Sequence, residues 1–318
     1  MKSGNLKFLW IWLALFCAVA LIGGTLLDMK DMPSVTAQDP TSTGTPEDEY
    51  GNPELLAEVD WLAENLDDPL LAVLDMRPPA EYNLGHIPGA VQVDVASVRA
   101  TVDGIKAQIP EAETMSVLLG EWGLTPEMTV VIYDDNNLLD AALMFWTLDA
   151  YGHADIKLLN GGWLAWDGGE LPQETEAPEI EPTEYEVEAL PEHNVDREWV
   201  LAHLDDLTLQ LIDARSPEEF SGETVRAKHG GHIPGAFNMN WTNNLEDGYF
   251  KPQADLEALY ESLDLADKEM IVTYCQTGHR ASVAYFTMRL MGFENVAVYD
   301  GSWEDWGNQD DTPIETGL

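Results

Sequence analysis

Short apolar runs rich in β-branched residues alternate along this chain with longer segments whose apolar positions recur at helical spacing. In the C-terminal half, LQLIDA (209–214) and MIVTY (270–274) are continuous apolar runs of strand length. RASVAYFTMRLMGF (280–293) follows with a helical period, and VAVYD (296–300) is a further strand. In the N-terminal half, TVVIYDD (129–135) has the same character as the 270–276 run. Strand–helix–strand alternation predicts an α/β fold, an open and mostly parallel sheet flanked by helices. In such sheets ligands gather at the carboxyl ends of strands.

The pattern occurs twice. LDMRPPAEYNLGHIPGA (74–90) and IDARSPEEFSGETVRAKHGGHIPGA (212–236) share Asp-x-Arg, then Glu and an aromatic, then Gly-His-Ile-Pro-Gly-Ala. TVVIYDD parallels MIVTYCQ (270–276), and NGGWLAW (160–166) parallels DGSWEDW (300–306). Four matched stretches in one order, about 140 residues apart, mark an internal duplication. The Pro- and Glu-rich stretch 171–190 reads as an acidic linker. The expected organisation is residues 54–170 as one domain and 191–318 as its repeat.

Residues 8–27, FLWIWLALFCAVALIGGTLL, carry no charge and are long enough to span a bilayer. Lys2 and Lys7 precede them, so the rest of the chain is expected outside the cytoplasm. The segment reads as a membrane anchor or a cleavable signal peptide, and 28–53 as an acidic tether. With 318 residues, 45% hydrophobic content and 11 Trp, the chain can build two folded domains, each with its own core. Its 58 acidic against 15 basic residues, net −43, argue against nucleic acid as a partner. The two cysteines, Cys17 and Cys275, cannot build a disulfide framework or a cysteine zinc site, so no metal is expected.

Cys275 then stands at the end of a strand, followed by Gln276, Thr277, Gly278, His279 and Arg280 before a helix. A turn through Gly278 aims backbone N–H groups inward, and the helix N-terminus adds positive potential. A thiolate there is stabilised and nucleophilic, and the same cradle can hold a negatively charged sulfur adduct. The alternative is a buried structural thiol. The matching residue of the first copy is Asp134, and DDNNLL (134–139) has neither the glycine nor the arginine.

Taken together, the duplicated Asp-x-Arg…Gly-His-Ile-Pro-Gly-Ala signature, Cys-x-x-Gly-x-Arg and the paired Gly-x-Trp stretches resemble the two-domain rhodanese sulfurtransferases, of the thiosulfate/3-mercaptopyruvate type, over about residues 55–310. The resemblance implies two tandem rhodanese-like domains, the first inert, the second catalytic. It implies that Cys275 takes a sulfane sulfur from thiosulfate or 3-mercaptopyruvate, carries it as a persulfide and passes it to cyanide or a thiol, without a cofactor. The amides of Gln276 to Arg280 would hold the persulfide. Arg280, Arg226 and Lys228 would bind the anionic donor, with His279 adding positive potential. Asp213, Arg215 and His232 are structural neighbours of the site, as are Asp75, Arg77 and His86 in the first copy. Trp163, Trp166, Trp303 and Trp306 read as packing residues, and Arg289 as a solvated helix residue. One folded chain with both domains face to face would suffice as a monomer.

The chain departs from the family where thiosulfate-preferring members carry an arginine and this sequence has Glu219. It also lacks their extra basic residues at Gln276 and Thr277, and the Gly-Ser pair of mercaptopyruvate enzymes. Two other functions compete. A cysteine-dependent phosphatase would need five residues between Cys and Arg, and here there are four. A persulfide carrier without turnover would use the same residues.

Overall fold

The computed structural model describes residues 50–318. The apolar stretch 8–27 and most of the acidic tether lie outside the described residues. No helix among the described residues is long and apolar enough to cross a membrane.

The first half contains β1 (Leu56–Ala57), β2 (Leu71–Asp75), β3 (Val91–Gln92), β4 (Ala100–Val102), β5 (Ile105–Gln108), β6 (Thr129–Tyr133) and β7 (Ile156–Leu159). The second contains β8 (Asn194–Val195), β9 (Leu209–Asp213), β10 (Phe237–Asn238), β11 (Leu245–Glu246), β12 (Tyr249–Phe250), β13 (Met270–Tyr274) and β14 (Val296–Tyr299). Each half folds into one five-stranded parallel sheet, ordered β1-β7-β6-β2-β3 and β8-β14-β13-β9-β10. The duplication in sequence is thus a duplication in topology. Each half adds a short antiparallel hairpin, β4–β5 or β11–β12, that the apolar pattern did not announce.

The central strands are apolar throughout because both faces of the sheet are covered. β6 and β13 are each buried from their second residue onward. Registers match between the halves: Asp75 pairs with Tyr133 at the end of β2 and β6, and Asp213 with Tyr274 at the end of β9 and β13. The Asp-x-Arg motif therefore lies beside the strand end from which Cys275 departs.

The helices that follow these central strands, Leu139–Ala150 and His279–Leu290, are buried on nearly every side. Each packs on its own sheet and on the other helix, with Phe145 edge-on to Phe286 at 4.7 Å between ring centroids. One apolar cluster consequently runs from Leu74 and Ile132 in the first half to Ile271 and Val298 in the second. Each half keeps a cluster of its own, around Trp166 and around Trp306, and the shared core adds to them, because helices buried on nearly every side must be covered twice. Arg289, expected in solvent, sits at this junction: its Nη1 lies 2.5 Å from Asp149 Oδ2, where Tyr285 also donates. Asp149 and Arg289 occupy equivalent places in the two helices, so the repeat faces itself with opposite charges.

Residues 171–190 lie along the first half. His86 and Glu174 exchange backbone hydrogen bonds, the Thr183 N–H donates to Gly120 O, and Tyr185 is buried. The C-terminal segment repeats the device, pairing Glu315 with His232. At the other end, Tyr50 donates to Phe250 O and Lys251 O, at 3.1 and 3.0 Å.

Candidate active site

β13 ends at Tyr274, and only Gln276, Thr277 and Gly278 separate Cys275 from the helix His279–Leu290. Gly278 takes φ +75°, and a β-carbon there would sit 3.0 Å from Asp300 Oδ1. Both the left-handed backbone and the close carboxyl require glycine. The N–H groups of Cys275 and Gly278 both donate to Ser302 Oγ, at 3.1 and 3.0 Å, and that hydroxyl donates to Tyr299 O at 2.8 Å. Trp303 N–H donates to Cys275 O, and Glu304 N–H to Gln276 O. The turn at 301–304 thus clamps the loop from behind. Ser302 itself adopts φ +49°, a conformation that costs a non-glycine residue about 1 kcal/mol. Its signal in the sequence was the single difference between GSW and GGW in the paired stretches.

Cys275 is buried, 1% exposed. Around it the N–H groups of Gln276, Thr277, His279, Arg280 and Ala281 find no acceptor among the described residues. The last three are the open first turn of a twelve-residue helix, where the positive end of the helix dipole lies. This is a cradle for negative charge. In the first half the equivalent cradle is filled from within: Asp134 Oδ1 accepts from the N–H of Asn136 and Leu138, and Oδ2 from Asp140 and Ala141, all at 2.8–2.9 Å.

Each cation that the sequence singled out faces a carboxylate. Arg280 reaches Glu219 with both terminal nitrogens, at 2.7 and 3.0 Å, and Arg226 Nε lies 2.9 Å from the same group. Burial pushes Glu219 up, but the two arginines outweigh it and hold its carboxyl below the usual range. Lys228 turns to Asp310 beside His229, forming a separate pair. His279 Nε2 lies 2.8 Å from Asp140 Oδ1, across the junction of the halves.

Asp213 and Arg215 form a buried bidentate pair, and Arg215 also donates to Gly231 O at 2.7 Å. The guanidinium lies 4.5 Å from the Trp303 ring centre. His232 stacks on Phe220, with Nδ1 2.9 Å from Phe220 O. Asp75, Arg77, Gly85 and His86 repeat this frame in the first half, with Arg77 over Trp163 and His86 stacked on Tyr82. A framework present beside Asp134 as well as Cys275 sets the loop's position, whatever the loop's chemistry.

Two residues near the thiol were not assigned to the site from the sequence: Arg99, outside every motif, and Asp300, which opens the DGSWEDW stretch. Arg99, just before β4 in the first half, donates from Nη2 to Thr277 O. Asp300 accepts the Ile109 N–H at 2.9 Å, and burial pushes its carboxyl up to about 7. Both contacts cross between the halves, so no spacing within one half could reveal them. With Lys106 3.4 Å from Glu304, the β4–β5 hairpin lies over the edge of the loop. A groove of about 630 Å³, lined by Lys106, Arg226, Glu304 and Asn308 among others, opens beside it. Among the described residues no cluster of His, Cys, Asp or Glu is arranged to hold a metal.

Comparison with known proteins places this geometry. The Rhodanese-like domain model matches residues 58–168 and again 196–309. A thiosulfate sulfurtransferase of Corynebacterium glutamicum is 36% identical over 285 residues, covering 85% of this chain and 93% of that protein. A sulfur carrier protein of Thermus thermophilus is 37% identical over 283 residues, covering 84% and 99%. Among solved structures, the Escherichia coli 3-mercaptopyruvate sulfotransferase SseA superposes with a TM-score of 0.71 at 31% identity, over 78% of this chain and 98% of that one.

Proposed function

We propose that this chain, which belongs to the rhodanese family, is a sulfurtransferase that moves a sulfane sulfur through Cys275 from a small anionic donor to a thiophilic acceptor. The observation that carries the reading is the unfilled amide cradle around Cys275, set against its counterpart already occupied by Asp134. With thiosulfate, the Cys275 thiolate attacks the outer sulfur. A new S–S bond forms, the donor's S–S bond breaks, and sulfite leaves with the electron pair. The persulfide anion then rests against the N–H groups of Gln276, Thr277, His279, Arg280 and Ala281, which supply charge-assisted hydrogen bonds. Cyanide or a thiolate attacks the outer sulfur in turn and returns the Cys275 thiolate. Arg280, Arg226 and His279 tune the potential at the loop's mouth. No cofactor takes part.

Incubation with thiosulfate should add the mass of one sulfur atom to the intact protein, and cyanide should remove it. Cys275→Ala should abolish the adduct and all turnover. Failure of the wild-type protein to gain sulfur from any sulfane donor would sink the proposal. A second reading, a persulfide carrier serving a partner protein, is favoured by the depth of Cys275 and by the likeness to the Thermus protein. A carrier would load normally yet turn over slowly with cyanide and fast with its partner.

The apolar stretch 8–27, with Lys2 and Lys7 before it, supports placing the enzyme outside the cytoplasm, tethered or released. Protease accessibility in intact cells against lysed ones tests this.

A further inference from the structure

We propose that Arg99, carried by the first half, binds the oxyanion head of the sulfur donor in the site built by the second half, and so selects donors of the thiosulfate class. The inference rests on the sulfurtransferase reading and specifies its donor. Within the site, Arg280 and Arg226 share Glu219, His279 faces Asp140 and Lys228 faces Asp310. Arg99 differs. No carboxylate among the described residues lies within ion-pair distance of it, and its Nη1 is buried without a hydrogen-bond partner. Its Nη2 is anchored on Thr277 O, within the loop that follows Cys275, and Cys275 and Asp300 are both close enough to act on its charge.

A buried, unpartnered guanidinium nitrogen is costly and rare in a native protein, and a ligand oxygen that accepts a hydrogen bond from it removes the cost. The planar fork of arginine matches two oxygens of a sulfonate or sulfate-like head. Asp300 Oδ1, against Gly278, is likewise buried without a hydrogen-bond partner. In a protein of net charge −43, long-range attraction will not deliver a dianion, and a contact inside the site must capture it.

The step is the one already written: the Cys275–sulfur bond forms as the donor's S–S bond breaks. Arg99 holds the sulfite portion before and after that break. The test compares two donors, thiosulfate and an alkyl hydropersulfide without an oxyanion, by following persulfide formation on the intact protein. In Arg99→Gln, loading from thiosulfate should slow by about 10- to 100-fold, mostly as a higher concentration for half-saturation. Loading from the hydropersulfide, which feels only the lost anchor on Thr277 O, should slow markedly less than loading from thiosulfate. Arg99→Lys should recover part of the loss. Inert sulfate should compete with thiosulfate in the wild type and not in Arg99→Gln.

Equal slowing with both donors, or none with either, overturns the assignment. If Arg99→Gln does not fold, the wild type still decides: sulfate that fails to compete with thiosulfate overturns it. Failure of the broader reading looks different, because the wild type would then load from neither donor.

Discussion

Two loops of one fold, 134–138 and 275–278, leave equivalent strands and enter equivalent helices with opposite outcomes. In the first, the carboxylate of Asp134 gathers four backbone N–H groups and leaves nothing for a ligand. The second is one residue shorter, replaces the carboxylate by a thiol, and leaves the N–H groups of Arg280 and Ala281, the counterparts of Asp140 and Ala141, unmet. The shorter loop turns through Gly278, whereas the longer one forces Asn137 and Leu138 into the left-handed region at φ +55° and +58°. Satisfied polarity makes a structural loop, and unsatisfied polarity makes a reactive one. The amide cradle came with the fold, and the residue at the strand's end decides whether it is spent internally.

The comparison breaks most visibly at Asp134, where we expect the largest change in stability. Asp134→Ala strands four N–H groups, each worth about 1–3 kcal/mol when buried and unpaired. Partial access of water and anions to the loop brings the expected loss to about 4 kcal/mol, read by thermal or denaturant unfolding. Activity at Cys275 should persist in the folded fraction. Burial pushes the Asp134 carboxyl up to about 6, so the folded state holds this proton more tightly than the unfolded chain does. Its contribution therefore declines as pH rises from the ordinary carboxylate range to about 6, then levels off. A wild-type minus Asp134→Asn stability difference with no slope in that window would contradict the assignment.

Ser302 comes next. Its hydroxyl closes two N–H groups of the reactive loop, a task with no counterpart at Gly162. Ser302→Ala should cost about 2 kcal/mol and, by loosening the loop, slow persulfide formation on the order of 10- to 100-fold. Ser302→Gly brings the second half closer to the first and relieves the strained φ, so its stability loss should be smaller at similar activity. Wild-type loading rates in both variants would mean the loop keeps its shape without the clamp.

What the sequence disclosed and withheld follows from how far each interaction reaches. The strands at 209–213 and 270–274, the helix after Cys275 and the duplication were legible because periodicity and repeated motifs are local. Cys275 and its loop were legible because strand, turn and helix fall within a dozen residues, and the first copy served as its control. The shared core was not, because the helical period of RASVAYFTMRLMGF does not say that a second helix covers its other side. Arg289 looked solvated for want of its partner Asp149 in the other repeat. Arg99, Asp300 and the pairing of Arg280 with Glu219 depend on contacts between distant segments, which no spacing encodes. The residue noted as a departure, Glu219, turned out to govern the cations assigned to the donor.

That last point gives the smallest expected effect and the sharpest sign. Glu219 is 3% exposed and neutralises Arg280 and Arg226 together. Glu219→Gln keeps its shape and its place beside Ser216 while removing one negative charge near Cys275. Because both arginines retain access to water, the stability cost should be about 1–2 kcal/mol, below that of a fully enclosed pair. The KM for thiosulfate should fall by about threefold, as expected when exposed cations gain little from losing one nearby charge. Loading from an uncharged donor should be unchanged. This is opposite in sign to Arg99→Gln, which removes the unpaired cation. A rise in KM would show that Glu219 acts by holding Arg280 in place, and paired and unpaired arginines would then no longer divide the work between positioning the loop and binding the donor.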